Sequence, residues 1–174
     1  MAGSGRLTLV TGGARSGKSR YAEGLITAHP PPWVYVATGE AGDAEMAARI
    51  AAHQARRGSE WKIIEAPHDL VGALSSASSA PAVMVDCLTL WLSNRMLAGA
   101  NLEEEGARLA QALTGHTGVL VLVTNEVGSS VVPDNALARR FRDQQGWLNQ
   151  RVAALADRVV LVVAGLPLVL KGPA

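Results

Sequence analysis

The sequence predicts an α/β fold of three layers, in which helices cover both faces of a mostly parallel sheet. Six short apolar runs alternate with longer segments of helical periodicity. Most of these runs are continuously apolar, as strands that are buried on both faces are. An alternation of strands and helices requires right-handed crossovers, which place helices on both sides of the sheet. We expect one domain over residues 1–174.

The strands are predicted from the runs RLTLV, WVYVA, WKIIEA, AVMVD, GVLVLVT and RVVLVVAG. Helices are predicted over residues 16–28, 43–57, 69–76, 88–97, 102–113 and 134–156. Asp134 is the expected N-cap of the last helix. The apolar face of that helix should carry Leu137, Phe141, Leu148, Val152 and Leu155.

Composition excludes several functional classes. A net charge of +1 and an aromatic content of 4% provide neither a basic field nor a stacking surface for nucleic acid. The one cysteine, Cys87, excludes a disulfide framework and favours the reducing cytoplasm. We expect no signal peptide and no membrane span, because no apolar run is long enough for either.

The most informative motif follows the first predicted strand and opens the first predicted helix. It matches G-x-x-x-x-G-K-[ST] at every specified position, and its residues are Gly12, Gly13, Ala14, Arg15, Ser16, Gly17, Lys18 and Ser19. Glycines let the backbone N–H groups point inward at phosphate oxygens, and the helix adds its N-terminal dipole. Lys18 can reach the β- and γ-phosphates, and the Ser19 hydroxyl can bind Mg²⁺. The motif therefore predicts a mononucleotide site.

Two carboxylates are candidates for a metal-binding role beside this motif. Asp86 ends the run AVMVD, and Glu126 follows the run VLVLVT. The carboxyl ends of parallel strands form the ligand crevice of such sheets, so either side chain can approach Mg²⁺ there. Asp86 is the preferred metal ligand. An ordinary strand-end or loop carboxylate is the alternative for each.

The predicted helix over residues 43–57 has a basic face that contains a histidine. Arg49, His53, Arg56 and Arg57 are spaced by three and four residues, so they share that face. Neighbouring cations disfavour protonation and keep an imidazole neutral and nucleophilic. From these residues alone, a solvated basic face is the preferred interpretation. No His or Cys spacing typical of zinc is present in the sequence.

Several stretches together resemble one enzyme family. They are LVTGGARSGKSRYAE, the segment from VYVATGE to WKIIEAP, DCLTLWLSN, and the segment from LVTNEVGSSVVP to LVLK. The family is the bifunctional adenosylcobinamide kinase / adenosylcobinamide-phosphate guanylyltransferase of cobalamin biosynthesis. The resemblance covers nearly the whole chain, and it implies a mostly parallel sheet with a P-loop, RecA-like core.

The resemblance implies two reactions. In the first, a nucleoside triphosphate donates its γ-phosphate to the aminopropanol hydroxyl of adenosylcobinamide. In the second, a histidine attacks the α-phosphorus of GTP and expels pyrophosphate. The resulting GMP-histidine then transfers GMP to adenosylcobinamide phosphate, giving adenosylcobinamide-GDP. ATP and GTP are the implied substrates, and Mg²⁺ is the implied cofactor.

Matching positions carry over residue by residue. The guanylylated histidine is His53, and Asp86 occupies the metal-site position where relatives often carry Glu. The implied nucleotide contacts outside residues 12–19 are Thr38, Gly39, Gln54, Ala55, Arg56, Arg57, Glu65 and Asp86. Relatives form oligomers, including trimers, so a homo-oligomer is expected.

Two rival functions stay open at this point. One is a P-loop kinase for another small molecule, in which His53 is structural. The other is a GTP-binding switch, although the guanine-reading sequence N-K-x-D is absent. The sequence does not reveal which nucleotide feeds the kinase step or which residues contact the corrinoid.

Overall fold

The computed structural model describes residues 6–40 and 58–173, and it confirms the predicted three-layer α/β fold. Its strands are β1 (Leu7–Gly12), β2 (Trp33–Ala37), β3 (Trp61–Glu65), β4 (Ala82–Asp86), β5 (Val119–Val123), β6 (Arg158–Val163) and β7 (Leu166–Lys171). Its described helices are α1 (Lys18–Thr27), α2 (Leu70–Ser76), α3 (Leu88–Leu97), α4 (Leu102–Gly115) and α5 (Ala136–Leu155).

The seven strands form one sheet in the order β3-β2-β4-β5-β1-β6-β7. Every neighbouring pair is parallel except β6 and β7, which are antiparallel. The strand that precedes the glycine-rich motif, β1, lies inside the sheet, between β5 and β6. The strand that carries Asp86, β4, is separated from β1 by β5 alone.

Both faces of the sheet are buried at β1, β2, β4 and β5, as their continuously apolar sequences predict, whereas the edge strands β3 and β7 are largely exposed. In β4, Val83 and Val85 contribute to one hydrophobic cluster, whereas Met84 contributes to the other. This alternation follows from the two-residue repeat of a strand. Helix α1 covers one face, and α2, α3, α4 and α5 contribute to the cluster on the opposite face.

The parallel register brings several chemically interesting residues to one edge of the sheet. Asp86 is paired with Val123 of β5, and Val123 is paired with Val10 of β1. On the other side, Asp86 and Glu65 are both paired with Ala37 of β2. The carboxyl ends of β3, β2, β4, β5 and β1 thus meet at the crevice where ligands bind in sheets of this kind.

The structure differs from the sequence-based prediction in the last third of the chain. The run after Val163 forms an additional edge strand, β7, through a two-residue turn at Ala164 and Gly165, both of which have positive φ. The N-cap of α5 is Asn135, whose side chain accepts a hydrogen bond from Ala138 N at 2.8 Å, so the prediction of Asp134 was wrong.

The predicted apolar face of α5 is correct in the middle of the helix and wrong at its ends. Leu148 and Val152 are buried, but Leu137 and Leu155 are 56% and 40% exposed. The predicted helix over residues 43–57 lies outside the described residues. Within the described part of the chain, no helix combines the length and hydropathy that crossing a membrane requires.

Candidate nucleotide-binding site

The glycine-rich motif forms a tight loop between β1 and α1. Arg15 and Gly17 have φ values of 55° and 95°, which curl the backbone before the helix begins at Lys18. No side chain caps this helix terminus. Its backbone N–H groups and its positive dipole end are consequently available to an anion, as in other phosphate-binding loops.

Two glycines are required by close packing around this loop. A Cβ atom on Gly12 would lie 2.5 Å from the carbonyl oxygen of Val162 in β6. A Cβ atom on Gly17 would lie 3.2 Å from the Cα of Gly165, in a backbone conformation that already favours glycine. A larger residue at either position would therefore crowd the backbone of β6 or of the turn that follows it.

The turn between β6 and β7 supports the loop from one side. The backbone N–H of Gly165 donates a hydrogen bond to the carbonyl oxygen of Ser16 at 2.8 Å. Sequence reasoning missed this contact because it missed β7. The dipeptide Ala164-Gly165 between two apolar runs was the signal that could have revealed the hairpin.

Lys18 lies at the start of α1 with its side chain folded back over the loop. Its Nζ atom donates a hydrogen bond to the carbonyl oxygen of Gly13 at 3.0 Å, and the residue is buried. The Ser16 hydroxyl is also buried, with no hydrogen-bond partner among the residues described. The Lys18 ammonium can donate to phosphate oxygens, whereas the Ser16 hydroxyl is inaccessible to a ligand as it is placed.

Asp86 lies at the end of β4 with one carboxylate oxygen already bound. Tyr35 donates its hydroxyl to Asp86 Oδ2 at 3.2 Å. Two strand spacings, or about 10 Å, separate β4 from the strand of the phosphate loop. A triphosphate with Mg²⁺ can bridge that distance, so the placement suits the predicted metal-binding role.

Thr38 has a different environment from a ligand-facing side chain. Its Oγ1 donates to the carbonyl oxygen of Cys87 at 2.7 Å and accepts from the Cys87 N–H at 2.8 Å. The residue has no exposed surface. Its hydroxyl thus joins the ends of β2 and β4, and only its backbone lies beside the crevice, where Asn94 Nδ2 donates to its carbonyl oxygen at 2.8 Å.

Gly39 and Glu65 lie farther along the same edge. Glu65 is exposed at the end of β3, four strand spacings or about 19 Å from β1. This distance excludes contact between Glu65 and phosphates held in the loop. Nearby, Glu40 Oε1 and His68 Nε2 lie 2.8 Å apart, within hydrogen-bonding distance.

A buried polar network converges on Glu126, which follows β5. Thr11 donates its hydroxyl to Glu126 Oε1 at 2.9 Å, and Asn149 of α5 donates Nδ2 to the same oxygen at 2.9 Å. Asn149 is held in turn by Thr124 and Gln145, which donate to its Oδ1 at 2.7 and 2.8 Å. This network orients the carboxylate beside the phosphate loop.

Cys87 contributes packing rather than reactivity. Its side chain is buried, and burial together with the adjacent Asp86 carboxylate raises the pKa of its thiol to about 11. A thiol with so high a pKa is almost wholly protonated near neutral pH and is a poor nucleophile.

Five of the predicted site residues lie outside the described residues. They are His53, Gln54, Ala55, Arg56 and Arg57, and their predicted roles stay predictions. Among the residues described, no group of three His, Cys, Asp or Glu side chains is arranged to hold a metal ion.

The comparisons with known proteins now bear on this geometry. A family model described as cobinamide kinase / cobinamide phosphate guanyltransferase matches residues 8–170. The chain belongs to this family. This membership confirms the family resemblance that the sequence motifs indicated.

Relatives in this family are similar to the chain over almost their entire length. The bifunctional adenosylcobalamin biosynthesis protein CobP of Pseudomonas aeruginosa is 46% identical, and the match covers 94% of this chain and 96% of that protein. The bifunctional adenosylcobalamin biosynthesis protein CobU of Salmonella typhimurium is 43% identical, with coverage of 95% and 99%.

Two solved structures share the overall fold of this chain. A type III secretion ATPase from pathogenic bacteria superposes with a TM-score of 0.57 at 12% identity, over 90% of this chain and 50% of that one. The RadB recombinase superposes with a TM-score of 0.53 at 16% identity, over 92% and 75%. At such low identity these similarities establish only the fold.

Proposed function

We propose that this chain catalyses two steps of cobalamin biosynthesis at one nucleotide site. In the kinase step it transfers the γ-phosphoryl group of a nucleoside triphosphate to the hydroxyl of adenosylcobinamide. In the second step it transfers GMP from GTP to the phosphorylated product and releases pyrophosphate. The observation that carries this proposal is a complete phosphate loop, with Lys18 seated over it, in a member of the kinase and guanyltransferase family.

The phosphate loop can serve both reactions because phosphoryl transfer depends mainly on positioning and charge neutralisation. The N–H groups at the start of α1 would hold the phosphates. Lys18 would compensate negative charge on the β- and γ-phosphates, whichever phosphorus is attacked.

Ser19 and Asp86 fit a Mg²⁺ ion bound with the nucleotide. Both offer oxygen atoms, which are the ligands that Mg²⁺ prefers. Ser19 belongs to α1, and Asp86 ends β4, which is separated from β1 by β5 alone. When bound, Mg²⁺ would neutralise charge that develops on the phosphate oxygens. Nucleotide phosphates and water normally complete such a site, so these two side chains suffice as protein ligands.

His53 is the proposed nucleophile of guanylyl transfer. A neutral imidazole nitrogen would form a bond to the α-phosphorus of GTP while the bond to pyrophosphate breaks. The hydroxyl-derived phosphate of the corrinoid would then displace His53 from the GMP. The other three histidines are less suited to this role: His29 and His116 precede β2 and β5, at the edge opposite the phosphate loop, and His68 is paired with Glu40.

The proposed nucleophile can be tested with His53→Asn, which keeps hydrogen-bonding capacity but lacks a nucleophilic nitrogen. We expect this variant to form no GMP adduct from α-labelled GTP and to retain kinase activity, because γ-phosphoryl transfer to a hydroxyl requires no covalent enzyme intermediate. His68→Asn serves as the matched control. A labelled adduct that persists in His53→Asn would refute the assignment.

We further propose that Gly39, the segment from Gln54 to Arg57, and Glu65 contact the nucleotide. Gly39 and Glu65 lie on the side of Asp86 that faces away from the phosphate loop, which suits contacts with the nucleoside. For Thr38, the buried hydroxyl restricts any nucleotide contact to its backbone. A cytoplasmic homo-oligomer that binds a corrinoid and no nucleic acid remains our expectation.

A further inference from the structure

Glu126 is placed between the two strands that carry the proposed phosphate and metal contacts. It follows β5, which lies between β1 and β4 in the sheet. Its backbone N–H donates to the carbonyl oxygen of Gly12, the first residue of the phosphate loop, at 3.3 Å. The backbone of Glu126 is therefore held against the phosphate loop, and the residue is exposed.

The side chain of Glu126 is held by two hydrogen bonds, although the residue is exposed. Its Oε1 accepts from Thr11 and from Asn149, each at 2.9 Å. Asn149 also donates to the carbonyl oxygen of Asn125 at 3.1 Å, so both of its amide hydrogens are directed at this loop. The residues described donate no hydrogen bond to Oε2.

Behind these contacts lies a network of buried polar side chains, in which Gln145 Oε1 has no hydrogen-bond partner among the residues described. Thr124 and Gln145 have no exposed surface, and Gln145 Nε2 donates to Thr124 Oγ1 at 3.0 Å. Burying such polar groups lowers stability unless their partners are well placed, so a network of this kind serves to fix one geometry. The atom whose position is fixed here is Glu126 Oε1, and Oε2 takes no part in the network.

The two proposed reactions differ in their need for a proton acceptor. Attack by a neutral imidazole uses a nitrogen lone pair that carries no proton. Attack by an alcohol on the γ-phosphorus releases the hydroxyl proton, and a positioned carboxylate commonly accepts it. A carboxylate held beside the phosphate loop can thus serve the kinase step without taking part in formation of the GMP adduct.

We propose that Glu126 is the catalytic base of the kinase step, an inference that rests on the proposed function. Its Oε2 accepts a hydrogen bond from the substrate hydroxyl and orients that oxygen towards the γ-phosphorus. The bond between the substrate oxygen and the γ-phosphorus forms, while the bond between that phosphorus and the bridging oxygen of the nucleoside diphosphate breaks. The hydroxyl proton passes to the Glu126 carboxylate and from there to water.

The substitution Glu126→Gln separates this role from a structural one. Glutamine retains a carbonyl oxygen that can accept from both Thr11 and Asn149, so the position of the side chain and the melting temperature should be preserved. What is lost is the ability to accept a proton. Glu60→Gln is the matched control, because Glu60 is exposed before β3 at the opposite edge of the sheet.

Two rates are measured for each protein: phosphorylation of adenosylcobinamide by γ-labelled ATP, and formation of the protein adduct from α-labelled GTP. We expect Glu126→Gln to lower the kinase kcat by about 100-fold or more, the usual contribution of a positioned base. The KM for ATP and the rate of adduct formation should stay within about threefold of wild type, since uniform binding is unaffected. Glu60→Gln should match wild type in both assays.

Thr11→Val provides a second variant that keeps the side-chain shape and removes one of the two donors to Glu126. A loss of orientation should lower the kinase kcat several-fold and spare adduct formation. If Glu126→Gln were unstable, this variant would still test the inference, and an unchanged kinase kcat in Thr11→Val would then refute it.

Other outcomes would overturn the assignment. A kinase kcat near wild type in Glu126→Gln would exclude the base. Equal losses in both reactions, with an increased requirement for Mg²⁺, would make Glu126 a metal contact instead. If wild-type protein itself did not phosphorylate adenosylcobinamide, the proposed function would fail, a result distinct from failure of this inference alone.

Discussion

Replacing Thr38 by valine should destabilise the protein through a single backbone group. The hydroxyl of Thr38 accepts from the N–H of Cys87 at 2.8 Å and donates to its carbonyl oxygen at 2.7 Å. The carbonyl oxygen also accepts from Trp91 N at 3.2 Å, so it keeps a partner in the variant. The Cys87 N–H is buried and would be left unpaired.

An unpaired buried donor costs about 1–3 kcal/mol, so we expect the free energy of unfolding to fall by about 2 kcal/mol. For a protein of this size, that corresponds to a decrease in Tm of about 4–8 °C. Thr38→Ser is the control, because it keeps the hydroxyl and removes one methyl group, at a cost of about 1 kcal/mol. Urea denaturation and thermal unfolding measure both variants.

The comparison between the two variants tests the reasoning directly. Thr38→Val should be the less stable, although it preserves the volume of the side chain better. If Thr38→Val unfolded at the same urea concentration as wild type, or if Thr38→Ser were the less stable of the two, the hydroxyl would not be holding the Cys87 N–H. The Thr38 hydroxyl would then be available for the nucleotide contact that the family resemblance implies at this residue.

Three further predictions concern the same site. Lys18→Ala should lower both the kinase and the guanylyl-transfer rates, since its charge serves the triphosphate in each; a wild-type kcat/KM for either reaction would contradict a shared site. Asp86→Asn should raise the Mg²⁺ concentration needed for half-maximal activity, because an amide lacks the charge that a hard cation requires; an unchanged Mg²⁺ dependence would point to another carboxylate. Because folding raises the pKa of Cys87 from 9.0 to about 11, the thiol of the unfolded chain ionises first as the pH rises. The free energy of unfolding should therefore fall between these two pH values, and it should fall more steeply than in Cys87→Ala. Identical slopes in the two proteins would show that the thiol is not responsible.

Most of the fold was predictable because its signals are local. Continuously apolar runs predict strands covered on both faces, and the phosphate loop is specified by consecutive residues from Gly12 to Ser19. The edge strand β7 was missed because Pro167 interrupts the run LPLVLK, and proline within a run argues against a strand except at the edge of a sheet. Choosing between Asp134 and Asn135 as the N-cap required the backbone geometry, since both residue types cap helices well.

For the site, the sequence by itself determined which groups are present: a phosphate loop, strand-end carboxylates and a histidine in a basic segment. Only the tertiary structure decided how they are oriented. Thr11 and Glu126 are 115 positions apart, and they meet because β1 and β5 are neighbours in the sheet. The pattern of apolar runs is compatible with many strand orders, since periodicity reports which faces are buried but not which strands pair. The hydrogen bonds that hold the Glu126 side chain and bury the Thr38 hydroxyl therefore depend on strand order, which only packing of the whole sheet specifies.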